Sequence, residues 1–349
     1  LTYTSILTMA ARLDLQTGAV AMDDDGVVPE AFEAWCREAN PKAFYLTPTL
    51  QAPTTVTLSK ERRARIAEIA AQNGVILIED DVFGPLKSNK PAPLAQIAPE
   101  TTIYVASLSK AVAPGLRVGF LKAPTKLASA LHQSVNLSVW MTPPLTLEVA
   151  RRLIEDGTAG ELTAQQQRIA KHRQNLVQSI LGIEAVPNLS DGFHVWLPLP
   201  EGWRADVFSS ECARRGVHVS EGRSFAMNAS DAPEAIRLCV SHEANEERLK
   251  RGLEIAAGVL QQKPIGRSDH SAAHKAAVSS LCSVCTDGLK PDLRRARKQD
   301  RSDPDGQRLP CGRSGRWHLI GQCPLHVPQS LLIEFPPSAI SAVPVTNDA

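Results

Sequence analysis

A strand, a helix and a second strand follow one another between residues 43 and 78, and this order constrains the fold more than any other feature of the chain. Ala43–Leu46 has the composition of a short strand. Ser59 is a typical helix-capping residue and precedes an Arg- and Ala-rich segment that Gly74 ends. Residues 75–78 are an apolar run typical of a buried strand. Because two strands joined through a helix pair in parallel, the sequence predicts an α/β fold with a mainly parallel sheet.

The patterns that follow extend the prediction to residue 261. In chain order they predict helices over residues 125–141, 145–155 and 159–181, strands around Val195, Val217 and Leu238, and helices near residues 207–215 and 246–260. The mixture of strands and helices after residue 181 is typical of a small α+β domain. We therefore expect a large α/β domain over residues 1–158, and a bridging helix with a smaller C-terminal domain over residues 159–261.

One loop, residues 107–117, carries a lysine, two hydroxyls and an arginine between two predicted strands. The amine of Lys110 can form a Schiff base with an aldehyde cofactor once its pKa is lowered. The hydroxyls of Ser107 and Ser109 and the guanidinium of Arg117 suit a phosphate. Ligands of open α/β sheets bind outside the carboxyl ends of the strands, where this loop is expected. The loop predicts a pyridoxal-phosphate site; the alternative is a surface Lys and Arg flanking a Pro-Gly turn.

The string Ser-x-Ser-Lys-x-x-x-Pro-Gly-x-Arg in this loop resembles the signature of class I/II aminotransferases, the pyridoxal-phosphate enzymes of fold type I. The resemblance implies that fold for the large domain and pyridoxal 5'-phosphate as the cofactor, with Lys110 as the catalytic lysine. It also implies that Asp80 pairs with the pyridine nitrogen, so that the protonated ring can act as an electron sink. The alternative for Asp80 is a turn or helix-capping aspartate.

Three positions depart from the family pattern. Residues 47–55 resemble its Pro-x-x-Gln-Asn-Pro-Thr-Gly loop, but Ala52 stands in place of the Asn and Thr55 in place of the Gly. Phe83 stands in place of a tyrosine, three residues after Asp80. The family's Asn and Tyr hydrogen-bond the cofactor's phenolic oxygen, which Ala52 and Phe83 cannot do. We expect such a site to bind the cofactor and to transaminate poorly.

Gln51 belongs to the same loop, and two interpretations of it stay open. It compensates for the lost hydrogen bonds by reaching the cofactor, or it is a loop glutamine in solvent.

A second set of residues lies in the predicted C-terminal domain. Residues 235–241 alternate like a half-buried strand, and the resemblance assigns Arg237 to the substrate α-carboxylate, which a bidentate guanidinium suits. The alternative is a surface arginine in an ion pair. Residues 192–198 match the family's glycine-plus-aromatic strand. His194 lies in that strand, and the sequence assigns it no role.

Four shorter segments make the resemblance more specific. They are similar to segments of MocR-type regulators, in which a GntR-like winged helix-turn-helix is fused to an aminotransferase-like domain. The segments are residues 79–86, 113–120, 156–158 and 196–200.

The MocR resemblance implies that the chain is the effector-sensing part of a transcriptional regulator. An amino acid or another small amino compound is then the ligand, and a homodimer is the expected assembly. The alternative is a free-standing aminotransferase that moves an amino group between an amino acid and a 2-oxo acid through Lys110. Leu1 is not a methionine, and the family's phosphate-cradling helix start and ring-stacking aromatic do not occur. We therefore expect an N-terminally truncated fragment that contacts DNA only through a domain preceding Leu1.

Composition limits the other function classes. The 349 residues are 43% hydrophobic and 21% charged with a net charge of +1, which suits two domains and gives no bulk signature of nucleic-acid binding. Neither a long apolar run nor a signal-peptide pattern occurs, so we expect a soluble cytoplasmic protein without membrane partners. The isolated Cys36, Cys212 and Cys239 are expected to be reduced structural thiols.

The character of the sequence changes at residue 262. Residues 262–349 contain four of the seven cysteines and lack a sustained helix or strand period. We expect a disordered or non-native, irregular tail and assign it no metal. The alternative is a zinc module, whose ligands would come from Cys282, Cys285, Cys311, Cys323 and His326.

Overall fold

The computed structural model describes residues 1–186, 189–262 and 340–341. These residues belong to one unit of the chain, Leu1–Pro264 with Phe335–Ala349. The α-helices of the described residues are α1 (Thr4–Arg12), α2 (Pro29–Ala39), α3 (Lys60–Asn73), α4 (Leu94–Ile97), α5 (Thr125–Val139), α6 (Pro144–Glu155), α7 (Thr158–Leu181), α8 (Ala205–Arg214) and α9 (Glu246–Leu260). The strands are β1 (Met22–Asp23), β2 (Gly26–Val27), β3 (Ala43–Leu46), β4 (Ile76–Asp80), β5 (Thr102–Ser107), β6 (Gly119–Lys122), β7 (His194–Pro198), β8 (Ser220–Glu221), β9 (Ala235–Cys239) and β10 (Ile340–Ser341).

The larger sheet has the strand order β10-β6-β5-β4-β3. Strands β3, β4 and β5 run parallel, β6 pairs antiparallel with β5, and β10 pairs parallel with β6. The predicted α/β fold with a mainly parallel sheet is therefore confirmed. Helix α3, which connects β3 to β4, begins and ends at the predicted residues. The Ser59 hydroxyl accepts a hydrogen bond from the backbone N–H of Arg62 at 3.2 Å, and Gly74 ends the helix with a φ of 65°.

One hydrophobic core lies beside β3 and β4. Phe32 of α2 stacks on Phe44 of β3 with 4.4 Å between ring centroids. Ile66 and Ile69 of α3 and Leu77 of β4 are fully buried in the same cluster. This core sets the position of the strand ends that carry the candidate site.

A second core lies beside the smaller, antiparallel sheet, whose strand order is β7-β9-β8. One face of this sheet packs on α7, α8 and α9. The fully buried side chains of this core include Leu197 and Ile236 from the sheet and Val177 and Phe208 from the helices. Strand residues alternate between faces. His194, Trp196 and Arg237 therefore occupy the other face, which we call the ligand face.

The strand predicted around Val217 is wrong in its position. Gly216, with a φ of 83°, and the Val217 N–H, which donates to the carbonyl of Cys212, form the end of α8 instead. Strand pairing begins only at Ser220, because the Val217 N–H is already hydrogen-bonded within the end of α8.

Three further predictions concern the long helix, the tail and membrane spans. The long helix predicted over residues 159–181 is confirmed as α7, while the domain boundary at residue 158 stays a prediction. The predicted tail and its candidate zinc ligands lie outside the described residues, apart from the two residues of β10. Within the described ranges, every helix is too short or too polar to cross a membrane.

The buried guanidinium of Arg63 joins α3 to the loop that follows β3. It donates to the carbonyls of Pro48 and Leu58 at 2.8 and 3.1 Å and to the Thr49 hydroxyl at 2.9 Å. It also lies 3.6 Å from the buried carboxylate of Glu79. Glu79 in turn accepts the N–H groups that begin α4, those of Leu94 and Ala95, at 3.0 and 2.9 Å. One buried ion pair therefore organises two strand ends and a helix start.

Replacement of Arg63 tests how much this ion pair contributes to the free energy of unfolding. We expect Arg63→Met to lower the free energy of unfolding by about 3 to 5 kcal/mol, because it leaves the Glu79 carboxylate buried without its partner. Urea titration measures the change. Arg65→Met is the matched control, since Arg65 lies on the same helix with exposed ion pairs, worth roughly 0 to 1 kcal/mol. Equal losses in the two variants would contradict the prediction.

Candidate cofactor and ligand site

Three parallel strands bring the predicted residues to one edge of the larger sheet. The loop over residues 47–58 follows β3, Asp80 ends β4 and Ser107 ends β5. Asp80 lies beside Val105 in the register of β4 and β5. Because the carboxyl ends of parallel strands meet at the same edge, Asp80 and the loop after Ser107 lie together.

The two serines form the buried start of this loop. Their hydroxyls hydrogen-bond to each other at 2.9 Å, and Ser107 Oγ donates to the carbonyl of Val118 at 3.1 Å. The backbone N–H of Ser109 donates to Ser107 Oγ at 3.0 Å, which closes the turn. Both side chains are thus held in place at the end of β5.

Arg117 ends the same loop in an unusual backbone conformation. Its φ of 53° lies in the left-handed region, which costs a non-glycine residue about 1 to 2 kcal/mol. The exposed guanidinium donates to the carbonyl of Pro114 at 3.4 Å and forms no ion pair within the described residues. A strained, unpaired arginine beside two ordered hydroxyls suits an anion such as a phosphate.

Lys110 lies between the serines and the arginine with its amine available. It is exposed, and its Nζ lies 5.8 Å from the ring centroid of Phe83. In the part of the chain that the structure describes, this amine forms neither a hydrogen bond nor an ion pair. A free amine at the mouth of the site is what covalent attachment of an aldehyde requires.

The Asp80 carboxylate is held by a residue that sequence reasoning missed. The Tyr45 hydroxyl donates to Asp80 Oδ2 at 2.6 Å, and the backbone N–H of Val82 donates to Oδ1 at 3.1 Å. Burial raises the pKa of Asp80, while these two donors oppose the rise by stabilising the charged form. The available signal was positional, because Tyr45 and Asp80 lie on one face of neighbouring strands.

Gln51 and Ala52 are both buried in the loop after β3. The Gln51 side chain donates to the Leu1 carbonyl at 3.0 Å, and its Oε1 accepts the N–H and hydroxyl of Thr54 at 2.9 and 2.7 Å. Gln51 is therefore not a loop glutamine in solvent, and both ends of its amide are engaged within the protein. Its predicted contact with the cofactor stays a prediction.

Arg237 lies on the ligand face with a guanidinium that has no carboxylate partner among the described residues. Its Cζ lies 4.7 Å from the ring centroid of Phe225, and its buried Nε makes no hydrogen bond. Desolvation lowers the pKa of Arg237, which stays charged at any physiological pH. An orphaned N–H on a stacked guanidinium fits a ligand carboxylate.

His194 also lies at this site, and no sequence pattern predicts its position there. Its ring makes an edge contact with Phe83, with 5.0 Å between centroids and 77° between planes. Burial and the neighbouring Arg237 and Lys110 cations lower the pKa of His194 to about 3. The smaller sheet therefore contributes a neutral imidazole next to Phe83 and Lys110.

A known protein family matches most of the chain. Residues 2–254 match the family described as aminotransferase class I and II. The chain belongs to this family. Pyridoxal phosphate is the cofactor that membership implies, and the amine, hydroxyls, guanidinium and carboxylate described above fit its groups. When bound, it supplies an electron sink for carbanion chemistry at a ligand's α-carbon.

Similar proteins fall into two functional groups. The chain is 29% identical over 260 residues to an uncharacterised HTH-type transcriptional regulator, YdeF, of Bacillus subtilis, covering 74% of this chain and 56% of that protein. It is 26% identical over 279 residues to aromatic-amino-acid aminotransferase 1 of Thermococcus litoralis, covering 75% and 66%. The chain therefore spans less than two thirds of either relative.

Solved structures show the same fold. An archaeal alanine:glyoxylate aminotransferase superposes with a TM-score of 0.68 at 24% identity, covering 74% of this chain and 67% of that one. The predicted fold type I architecture is confirmed.

Removal of the Tyr45 hydroxyl tests whether its hydrogen bond stabilises the ionised form of Asp80. If Asp80 pairs with the cofactor's pyridine nitrogen as predicted, its ionised form binds the cofactor, and affinity is lost as the pH falls through the pKa of Asp80. Tyr45→Phe removes a stabiliser of the ionised form, so we expect the loss at a pH about one unit higher. Pyridoxal-phosphate affinity measured against pH shows the shift.

The matched control is Tyr104→Phe, whose hydroxyl donates to the adjacent Asp81 carboxylate at 2.7 Å. We expect this variant to keep the pH profile of the unaltered protein. Equal shifts in both variants would show that Tyr45 has no specific part in holding Asp80.

Proposed function

We propose that the chain is the pyridoxal-phosphate-binding, effector-sensing domain of a cytoplasmic MocR/GntR-type transcriptional regulator. The observation that carries this proposal is a cofactor and carboxylate site with an apolar wall. Lys110, Asp80 and Arg237 provide the polar groups, while Ala52 is buried and Phe83 lies beside the Lys110 amine. The ligand is an amino acid or another small amino compound.

Each side chain has a defined task in this proposal. Ser107, Ser109 and Arg117 would hold the cofactor's phosphate, and the Lys110 amine would bind its aldehyde group covalently. Arg237 orients the carboxylate of the amino compound. Since Ala52 and Phe83 offer no hydrogen bond, the later proton transfers of a full transamination are slow, and ligand binding is the useful event.

The proposed assembly is a homodimer in which DNA contacts come from a separate domain of the intact protein. The similarity to an HTH-type regulator of Bacillus subtilis supports this assignment.

A free-standing aminotransferase is the second candidate. The similarity to the Thermococcus litoralis aminotransferase favours it. The roles that the sequence resemblance assigns to Lys110, Asp80 and Arg237 also favour it. The two functions make different kinetic predictions.

Transamination assays separate the two candidates. With an amino donor and a 2-oxo acid, we expect the cofactor-loaded protein to change its visible absorption without turning over at the usual enzymatic rates of roughly 1 to 1,000 per second. The double variant Ala52→Asn/Phe83→Tyr, which restores hydrogen-bonding side chains, should transaminate faster. Turnover of the unaltered protein in the enzymatic range would favour the second candidate, whereas DNA binding by the intact protein that responds to an amino compound would favour the first.

Covalent labelling tests the lysine directly. Borohydride reduction of the cofactor-loaded protein should leave a pyridoxyl group on Lys110, detectable by peptide mass spectrometry after dialysis. Lys110→Ala should lose both the label and the visible absorption band. Lys122→Ala, a change of an exposed lysine on β6, should keep both. A label retained in Lys110→Ala would refute the assignment.

A further inference from the structure

The ligand face holds a histidine, His194, that the proposed function does not use. His194 lies on the same face of β7 as Trp196, which pairs with Arg237 of β9. His194 itself pairs with Cys239, two residues beyond Arg237, so that His194 and Arg237 are diagonal neighbours across the two strands. This placement brings the imidazole close to the group that suits a ligand carboxylate.

The imidazole and the Lys110 amine also share one neighbour. The His194 ring lies 5.0 Å from the Phe83 ring, and Lys110 Nζ lies 5.8 Å from the same ring. Because His194 also neighbours Arg237 diagonally, we expect a compound held at both Lys110 and Arg237 to contact His194.

The backbone of His194 is held firmly. The buried Gln174 side chain on α7 donates to the carbonyls of Gly192 and His194 at 2.7 and 2.9 Å. In the described part of the chain, the ring nitrogens of His194 have no hydrogen-bond partner. Since burial, together with the neighbouring Arg237 and Lys110 cations, lowers the pKa of His194 to about 3, the ring is neutral and offers one donor and one acceptor.

We propose that His194 is a specificity-determining residue that contacts the side chain of the amino compound and selects a hydroxyl or amide over a hydrocarbon of the same shape. A hydrocarbon would cover a ring nitrogen without replacing its hydrogen bond to water, which disfavours binding. The adjacent Phe83 presents only apolar surface and cannot compensate. This inference rests on the proposed function, because it requires an amino compound between Lys110 and Arg237.

Matched ligand pairs test the proposal. The protein loaded with pyridoxal phosphate is titrated with L-threonine against L-valine, and with L-asparagine against L-leucine. The change in visible absorption of the bound cofactor gives a dissociation constant for each amino acid. We expect the polar member of each pair to bind about tenfold more tightly, the effect of one hydrogen bond to a neutral group.

Variants of the histidine identify the source of this preference. His194→Phe keeps an aromatic ring against Phe83, and His194→Leu is a second apolar variant. Both should load the cofactor normally and reduce the affinity ratio to about one. His194→Gln keeps a hydrogen-bonding side chain and should retain most of the ratio. His242→Phe changes an exposed histidine and is the matched control, with an unaltered ratio.

The possible failures are distinguishable. If the unaltered protein responds to amino acids and the apolar variants keep its affinity ratio, the role of His194 is overturned while the proposed function stands. If the loaded protein responds to no amino acid, both the proposed function and this inference are overturned.

Discussion

The buried interaction between Arg63 and Glu79 is the constraint on which the larger sheet and its site depend. The guanidinium has no access to water and donates to backbone and side-chain oxygens of the loop after β3. Its Glu79 partner belongs to β4 and accepts the first N–H groups of α4. Buried charges persist only when paired and hydrogen-bonded, so that the positions of these segments are coupled. The loop that carries Gln51 and Ala52 is shaped by this pair.

Strand alternation then places the neighbouring carboxylates of β4 on opposite faces of the sheet. Glu79 points to the core beside α3, whereas the next residue, Asp80, reaches the opposite face and meets Tyr45. The following Asp81 accepts the Tyr104 hydroxyl and pairs with Lys90. Three consecutive acidic residues therefore have three different environments: a guanidinium for Glu79, a phenol for Asp80 at the end of β4, and a phenol with an ammonium for Asp81.

Strand alternation also divides the smaller sheet, where the charged residue on the ligand face is an arginine instead of a carboxylate. Its inner face is closed by α7, α8 and α9, and its ligand face carries His194, Trp196 and Arg237. Arg237 stacks on Phe225 without a carboxylate partner in the described residues, and His194 contacts Phe83 of the larger sheet's loop. A site built from a free amine, an unpaired guanidinium and aromatic rings is suited to bind an amino compound. The proposed preference for sensing over rapid turnover rests on the apolar Ala52 and Phe83.

Local sequence was sufficient wherever the interacting groups are close along the chain. The Ser59 cap, the Gly74 stop and the loop from Ser107 to Arg117 could be predicted, because covalent spacing alone keeps their members together. The position of β8 could not, since the end of α8 competes for the backbone near Val217. The contacts of Tyr45 with Asp80 and of His194 with Phe83 join separate strands and sheets. Only strand register and the packing of each sheet on its helices bring these pairs together, so that tertiary structure decides which polar side chains face the ligand.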